Sequence, residues 1–125
     1  MRRLSRETII LLQEQLIDLY GGSHGIRDEG LLDSALSAPY QGFGGYDFYP
    51  SITEKAVRLC FGLVKNHPFF DGNKRIGTMA MLITLDQNHL RFTAASSELT
   101  EVILDLASGN RSYEDLLEWV RDRIE

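Results

Sequence analysis

The chain has 125 residues, of which 43% are hydrophobic and 25% are charged. These proportions are ordinary for a globular domain, and they exclude a disordered tail and a membrane-embedded protein. A chain of this length buries roughly two thirds of its unfolded surface, enough for one core, so we expect a single domain over residues 1–125. The net charge of −5 disfavours direct binding to nucleic acids or anionic membranes.

Two features bear on the cellular compartment. The aliphatic run Ile9 to Leu12 is too short for a signal sequence or a membrane span. The one cysteine, Cys60, excludes an internal disulfide, which agrees with a reducing compartment. It lies on the apolar face of a predicted helix with no activating group nearby in sequence, so we interpret it as a buried core residue. We therefore expect a cytoplasmic protein without membrane association.

Helical spacing of apolar residues begins close to the N-terminus. It predicts a first helix over 6–20, with Ser5 as its N-cap and a glycine pair after its end. Asp28 then begins a short second helix, which Pro39 ends. The first third of the chain is therefore predicted to form a helical pair.

Residues 39–50 differ in composition from the segments on either side. Glycines alternate there with aromatic residues, as is typical of a loop or a short hairpin. Two interpretations stay open: a lid on the core, or an exposed edge on which a partner peptide docks. The aromatic residues are Tyr40, Phe43, Tyr46, Phe48 and Tyr49.

The remaining chain again shows helical patterns. Ser51 and Glu54 have the spacing of a capping box and begin a third helix that runs to Lys65. Residues 76–85 are apolar on nearly every face, which predicts a central buried helix. A brief extended piece is expected at 90–93.

Two further helices complete the predicted fold. Ser97 caps the first of them, which ends at Gly109. Ser112 caps the second, whose apolar stripe continues to Ile124. The predicted fold class is all-α, with about six helices around a buried central helix and at most a small β-hairpin.

The stretch from His67 to Arg75 carries most of the chemistry in the sequence. Gly72 and Asn73 precede a helix, where free backbone N–H groups and the positive end of the helix dipole bind anions. Lys74 and Arg75 oppose that dipole in the first helical turn, but they are well placed to contact a bound phosphate. The pattern therefore predicts a phosphate site.

Two more residues of this stretch extend the hypothesis. Asp71 offers a hard oxygen ligand for a Mg²⁺ ion shared with nucleotide phosphates. A neutral imidazole at His67 can accept a hydroxyl proton at cellular pH. Phe69 lies between them and is expected to anchor the loop in the core. A base beside a phosphate cradle indicates phosphoryl or nucleotidyl transfer.

Structural alternatives exist for these residues. Asp71 alone could be the N-cap of the following helix, and Lys74 and Arg75 could be surface charges paired with acidic neighbours. The other two histidines, His24 and His89, are interpreted as surface or helix-end groups.

Residues 67–75 read His-x-Phe-x-Asp-Gly-Asn-Lys-Arg. This resembles the signature of the Fic/Doc superfamily, His-x-Phe-x-[Asp/Glu]-Gly-Asn-Gly-Arg-x-x-Arg. Lys74 replaces the second glycine and Thr78 the final arginine, and both differences match the death-on-curing (Doc) branch. The likeness extends to residues 20–22 and 25–32 and, in the order and length of elements, to almost the whole chain.

The resemblance implies a Fido fold, with residues 39–50 at the position of the family's flap. It also implies a toxin of a toxin–antitoxin system that transfers the γ-phosphate of ATP to a threonine of elongation factor Tu and so blocks translation. The implied site has His67 as the base, Asp71 as the Mg²⁺ ligand, Gly72 and Asn73 as the anion-hole backbone and amide, and Lys74 and Arg75 as phosphate contacts.

Differences from the Fic branch indicate how the activity is inhibited and which group is transferred. Ser97 and Glu101 have the spacing of an inhibitory motif found in many Fic chains, but Val102 occupies its last position, so a cognate antitoxin acting in trans is expected. The Fic branch transfers AMP instead of phosphate. A lysine at position 74 narrows the loop where the α-phosphate side of a Fic nucleotide sits, so the nucleotide is expected in the reversed sense. Fic-type AMP transfer and an inactive Fido binding module stay as alternatives.

Overall fold

Ser5 begins the first helix, α1 (Arg6–Tyr20), by accepting a hydrogen bond from the Thr8 N–H. The computed structural model describes all residues, 1–125. Gly21 follows the helix with a φ of 87° and donates its N–H to a carbonyl of the last turn. A positive φ at this position favours glycine, which is why the helix ends here. The predicted bounds of 6–20 are confirmed.

Asp28 caps the second helix, α2 (Glu29–Ser37), through its side chain, as expected. Pro39, however, does not end the helical conformation of the chain. It lies buried inside a 3₁₀ turn (Ala38–Tyr40) that continues directly from α2. The fixed φ of proline suits the first turn of such a segment, so the chain remains helical for three more residues.

The flap is a two-stranded antiparallel hairpin of β1 (Gly42–Phe43) and β2 (Tyr46–Asp47). Gly44 and Gly45 connect the strands with φ values of 58° and 82°. Both central residues of a type I′ turn need positive φ, so the glycine pair accounts for the hairpin. The predicted small hairpin is confirmed, and "flap" here means residues 42–47.

The third helix, α3 (Ile52–Asn66), begins with the predicted capping box of Ser51 and Glu54. The fourth, α4 (Asn73–Gln87), starts three residues before the apolar stretch that predicted it. Gly72 precedes it in the left-handed conformation, φ 77°, so the polar residues 73–75 form its first turn. None of residues 76–85 is exposed, which confirms a buried helix.

The last two helices are α5 (Ser96–Ser108) and α6 (Tyr113–Arg121). Ser97 as the cap of α5 is wrong, because the extended Ala95 precedes the helix and accepts its first backbone hydrogen bond. Ser112 caps α6 in a capping box, as predicted. Ile124 lies beyond α6, where it bridges to Phe92, and this bridge accounts for the extended piece at 90–93.

The core lies around α3, which packs against α2, α4, α5, α6 and the 3₁₀ turn. The sequence predicts residues 76–85 as the centre of the fold, but α3 and α4, packed side by side, form that centre together.

Burial raises the pKa of the Cys60 thiol to about 12, which keeps it neutral and agrees with a core residue. Phe69 is fully buried among residues of α1 to α4 and anchors the α3–α4 loop, as predicted. No helix has the length and hydropathy needed to cross a membrane.

Candidate active site

The α3–α4 loop and the start of α4 line a cleft of about 640 Å³. Helix α5 forms the facing wall, where Leu99, Thr100 and Ile103 line it, and Tyr20 at the end of α1 closes one side. The structure brings all six predicted site residues into this one cleft. They are His67, Asp71, Gly72, Asn73, Lys74 and Arg75.

His67 stands at the C-terminal end of α3 in the left-handed conformation, with φ 52° and ψ 54°. This backbone turn takes the chain out of the helix. The next two residues, Pro68 and Phe69, are buried, whereas His67 itself is exposed and lines the cleft. The imidazole is therefore accessible to a substrate hydroxyl, as a general base must be.

Asn73 closes the loop on itself. Its Oδ1 accepts a hydrogen bond from the Phe69 N–H at 3.0 Å, and its Nδ2 donates to the Phe69 carbonyl, also at 3.0 Å. The side chain is buried, so this amide acts first as a clasp of the loop. The sequence motif shows the residue but gives no indication of this clasp.

The backbone at the start of α4 is open to an anion. The Ile76 N–H makes the first bond of the helix, to the Gly72 carbonyl at 2.9 Å. The N–H groups of Asn73, Lys74 and Arg75 have no acceptor within the chain. Three free donors at the positive end of a helix suit a phosphate group.

Asp71 is not a helix cap, because Gly72 holds that position without any side-chain hydrogen bond. Its Oδ2 accepts the N–H of Ser23 at 2.6 Å, and its backbone carbonyl accepts Gln13 Nε2 at 3.1 Å. Asp71 Oδ1 makes no hydrogen bond within the chain. One oxygen of the Asp71 carboxylate is thus fixed by a hydrogen bond, and the other is free to bind a ligand.

The chain has no cluster of three or more His, Cys, Asp or Glu side chains that could hold a metal on its own. One carboxylate is nevertheless a normal protein contribution to a Mg²⁺ ion, which takes its remaining oxygens from water and nucleotide phosphates. Asp71 and the neighbouring phosphate cradle fit that donor set.

Lys74 and Arg75 form no ion pair, so the surface-pair interpretation is wrong. The Arg75 guanidinium carbon lies 4.5 Å from the centre of the Tyr20 ring, a cation–π contact that positions it beside the cleft. Thr78 donates its hydroxyl to the Lys74 carbonyl at 2.7 Å. Two cations without carboxylate partners therefore remain available to an anionic ligand.

Residues 21–28, here called the Gly-rich segment, brace the loop. Ile26 bridges to Phe69 in an antiparallel arrangement, and the Phe70 N–H donates to the Gly25 carbonyl at 3.2 Å. Gly22 has a φ of 115°, and a Cβ there would lie 3.0 Å from the Cβ of Asp71. The sequence predicts that this segment ends α1, begins α2 and shares in the family resemblance, but it gives no indication that the segment supports the α3–α4 loop.

The flap presents its aromatic side chains to solvent. Phe43 and Tyr46 are 82% and 80% exposed, so the interpretation as a core lid is wrong for the hairpin itself. The buried Lys55 holds its base by donating to Asp47 Oδ2 at 3.3 Å and to the Tyr49 carbonyl. Peptide docking on this edge stays a prediction.

The other two histidines are exposed, as the sequence suggested. His24 Nε2 lies 2.9 Å from Asp18 Oδ1, and His89 follows α4 with a φ of 64°. Neither lines the cleft, and His67 is the one histidine that does.

The cleft combines the buried Asn73 clasp, a free oxygen of Asp71 and an anion cradle beside His67. These groups agree with the class of protein to which a family comparison assigns the chain. A family model described as the Fic/DOC family matches residues 3–85, more than half of the chain, and the chain belongs to that family. The fold is accordingly the all-α Fido fold with its β flap.

Two relatives point to the Doc branch, which confirms the resemblance seen in the sequence. The chain is 39% identical over 75 residues to Toxin Doc of Mycolicibacterium smegmatis, an alignment of 60% of this chain and 58% of that protein. It is 27% identical over 121 residues to Protein kinase doc of Escherichia phage P1, which covers 97% of this chain and 94% of that protein. The first alignment thus spans little more than half of its relative, and the second nearly all.

Proposed function

We propose that this chain is a Doc-type toxin that transfers the γ-phosphate of ATP to a protein hydroxyl, with a threonine of elongation factor Tu as the acceptor. The observation that carries the proposal is the content of the cleft: an accessible histidine, a half-free carboxylate, three free backbone N–H groups and two unpaired cations. The name of one relative, Toxin Doc, supports the toxin assignment, and the name of the other, Protein kinase doc, supports phosphate transfer.

Each group has a chemical task in this reaction. His67 takes the proton of the acceptor hydroxyl while its oxygen attacks the γ-phosphorus, and the bond to the β–γ bridging oxygen breaks to release ADP. The N–H groups at the start of α4 bind phosphate oxygens, and Lys74 and Arg75 stabilise the charge that develops. A Mg²⁺ ion held with Asp71 would add electrostatic stabilisation of the phosphates.

The chemistry at positions 74 and 78 favours phosphate over AMP transfer. Lys74 places a cation in the first turn of α4, where the Fic form has glycine. Thr78 is committed to the Lys74 carbonyl and supplies no cation where the Fic form has its last arginine. A nucleotide bound with its terminal phosphate at this cradle satisfies the available charges, whereas an α-phosphate there would lack one clamp.

The proposed control is inhibition in trans by a cognate antitoxin, with both proteins in the cytoplasm. The in-chain inhibitory motif ends in glycine or asparagine, but Val102 occupies that position here and is buried in the core against α3 and α6. Helix α5 therefore forms a wall of the cleft without supplying an inhibitory side chain from this motif.

Labelled nucleotides separate the candidate functions. The chain would be incubated with purified elongation factor Tu, and separately with a bacterial lysate, in Mg²⁺ and ATP labelled at either the α- or the γ-phosphate. We expect label on a protein threonine from the γ-labelled nucleotide alone. Label from α-labelled ATP would show AMP transfer, and no transfer of either label would favour an inactive binding module.

The role of Asp71 is tested by nucleotide binding. In Asp71→Asn the amide keeps the size of the carboxylate but loses the charge that a hard dication requires. We expect calorimetric titration with ATP to lose its dependence on Mg²⁺. Asp86→Asn is the matched control, because Asp86 is an exposed carboxylate near the C-terminal end of α4 and lies outside the cleft. Unchanged Mg²⁺ dependence in Asp71→Asn would exclude Asp71 as the ligand.

A further inference from the structure

One side chain of the Gly-rich segment holds the carbonyl groups at which α3 ends. Arg27 Nε donates to the His67 carbonyl at 2.7 Å, and its Nη2 donates to the Asn66 carbonyl at 3.0 Å. The backbone N–H groups of Arg27 and Asp28 donate to the next carbonyl, that of Pro68, at 2.7 and 3.1 Å. Three consecutive carbonyl groups of the loop are therefore bound from one direction.

This arrangement replaces the usual end of a helix. The last carbonyls of a helix lack intrahelical partners, and a left-handed residue that follows is most often glycine, whose N–H bonds back to the helix. The left-handed residue here is His67, which has a side chain, and its N–H makes no backbone hydrogen bond. A positive φ is uncommon for such residues and requires support from the surroundings. The Arg27 guanidinium supplies that support.

Arg27 has no other partner that would explain its place. It forms no ion pair with any carboxylate of the chain. A cation at the C-terminal end of a helix is favourable in itself, but a point charge would satisfy that need. The planar fork of arginine instead holds two donors at a fixed separation, which suits two hydrogen bonds to adjacent carbonyls.

We infer that Arg27 is a positioning residue for His67: it fixes the left-handed backbone of His67 and thereby the direction in which the imidazole enters the cleft. The inference rests on the proposed role of His67 as the base. Arg27 itself does not line the cleft, so its effect on the reaction passes through His67. An error of about 1 Å in the placement of a catalytic group can reduce a rate about a hundredfold.

The kinetic test uses Arg27→Lys, which keeps the charge but replaces the rigid planar fork with a flexible ammonium group, and Arg27→Gln, which removes the charge. We expect kcat for phosphate transfer to fall roughly ten- to a hundredfold in Arg27→Lys, with KM for ATP within about twofold of wild type. Arg91→Lys is the control, because Arg91 is exposed and lies outside the cleft. A wild-type kcat in Arg27→Lys would overturn the inference.

A double-mutant cycle shows whether the effect passes through His67. In the His67→Ala background, Arg27→Lys should cause no further loss of the residual rate, because the group it positions is already absent. An equal loss in both backgrounds would mean that Arg27 supports the fold or the substrate directly, and the inference would be wrong.

A spectroscopic test does not depend on the reaction. The chain has three histidines, so ¹⁵N-detected imidazole signals of His67 can be compared with those of His24 and His89 in the same sample. Arg27→Lys should shift or broaden the His67 ring signals and leave the other two unchanged. If the wild-type chain transferred no phosphate, the proposed function would fail while this measurement still decided the inference. Unchanged His67 signals would overturn it.

Discussion

The α3–α4 loop and the flap are both short and both contain glycine and two aromatic residues, yet they differ in how firmly the rest of the chain holds them. The loop is bonded to α1, to the Gly-rich segment and to the core through Phe69. The flap is tied at its base by Lys55 and presents Phe43 and Tyr46 to solvent. The α3–α4 loop is therefore fixed by contacts to several other elements, whereas the aromatic side chains of the flap are exposed.

The difference follows from what each segment is proposed to do. Catalytic groups must be placed to within about 0.5 Å, so their supporting hydrogen bonds have to be made before the substrate arrives. A partner peptide added to a strand edge is bound through backbone groups, with side chains contributing specificity. Substitutions of the buried groups that hold the loop, such as Asn73, should therefore lower stability as well as rate. Substitutions of the exposed His67 should lower the rate and keep the fold, and substitutions in the flap should affect only recognition.

The largest effect is expected for His67. His67→Ala should lower phosphate transfer by about 10² to 10⁴, because the general base is lost. The exposed position predicts that the fold is kept, and His67→Asn is a useful companion since asparagine tolerates the left-handed conformation better than alanine. Rates measured with labelled ATP and circular dichroism of each variant check this. Transfer at the wild-type rate in both variants would refute the mechanism, and His24→Ala is the control histidine.

The clasp of the loop should be visible in stability. Asn73→Ala leaves the Phe69 N–H and carbonyl without partners next to a buried ring, which should lower the free energy of unfolding by about 2 to 4 kcal/mol. Urea denaturation measures the change. Asn110→Ala, at an exposed amide without a side-chain bond, should stay within about 0.5 kcal/mol of wild type. If the free energy of unfolding changed as little in Asn73→Ala as in Asn110→Ala, the Asn73 clasp would contribute nothing to stability.

A contrast between local and long-range interactions explains which features could be predicted from the sequence. The helices could be predicted because caps and apolar spacing are local, and the site because residues 67–75 form one continuous motif. The supporting bonds could not be predicted, since they join residues far apart in the chain: Ser23 and Asp71 are separated by 48 positions, and Arg27 and His67 by 40. The residue type of Ser97 predicts a cap, but the helix begins one residue earlier, at Ser96, directly after the extended Ala95.

A smaller effect is expected at Lys74, which distinguishes the two transfer reactions. One charge-assisted contact contributes about 1.5 to 3 kcal/mol, so Lys74→Gly should lower γ-phosphate transfer roughly ten- to a hundredfold. Lys74→Gln removes the charge without adding glycine to the helix and should show a similar loss. AMP transfer should not appear in Lys74→Gly, because Thr78 still replaces the arginine clamp. AMP labelling by the wild-type chain would refute the kinase assignment, and the double variant Lys74→Gly/Thr78→Arg tests the clamp.

The smallest effect on stability is expected in the flap. Replacing Phe43 and Tyr46 by alanine removes apolar surface that is already exposed, so the free energy of unfolding should change by less than about 0.5 kcal/mol. ATP binding should be unchanged because neither residue lines the cleft. The KM for the protein acceptor should nevertheless rise. Leu11→Ala, at an exposed apolar residue of α1, is the control for general loss of surface hydrophobicity.

Gly42→Ala sharpens the same test, because it alters the backbone of the flap and keeps its aromatic side chains. A Cβ at Gly42 would lie 2.3 Å from the Tyr46 carbonyl oxygen, so the two strands must separate. If a protein acceptor pairs with the strand edge, Gly42→Ala should raise its KM at least as much as the loss of the aromatic side chains. A raised KM in the aromatic variant alone would mean that the acceptor is bound through side chains and that strand addition is wrong. Unchanged KM in both would remove the flap from acceptor binding and leave recognition to the cleft.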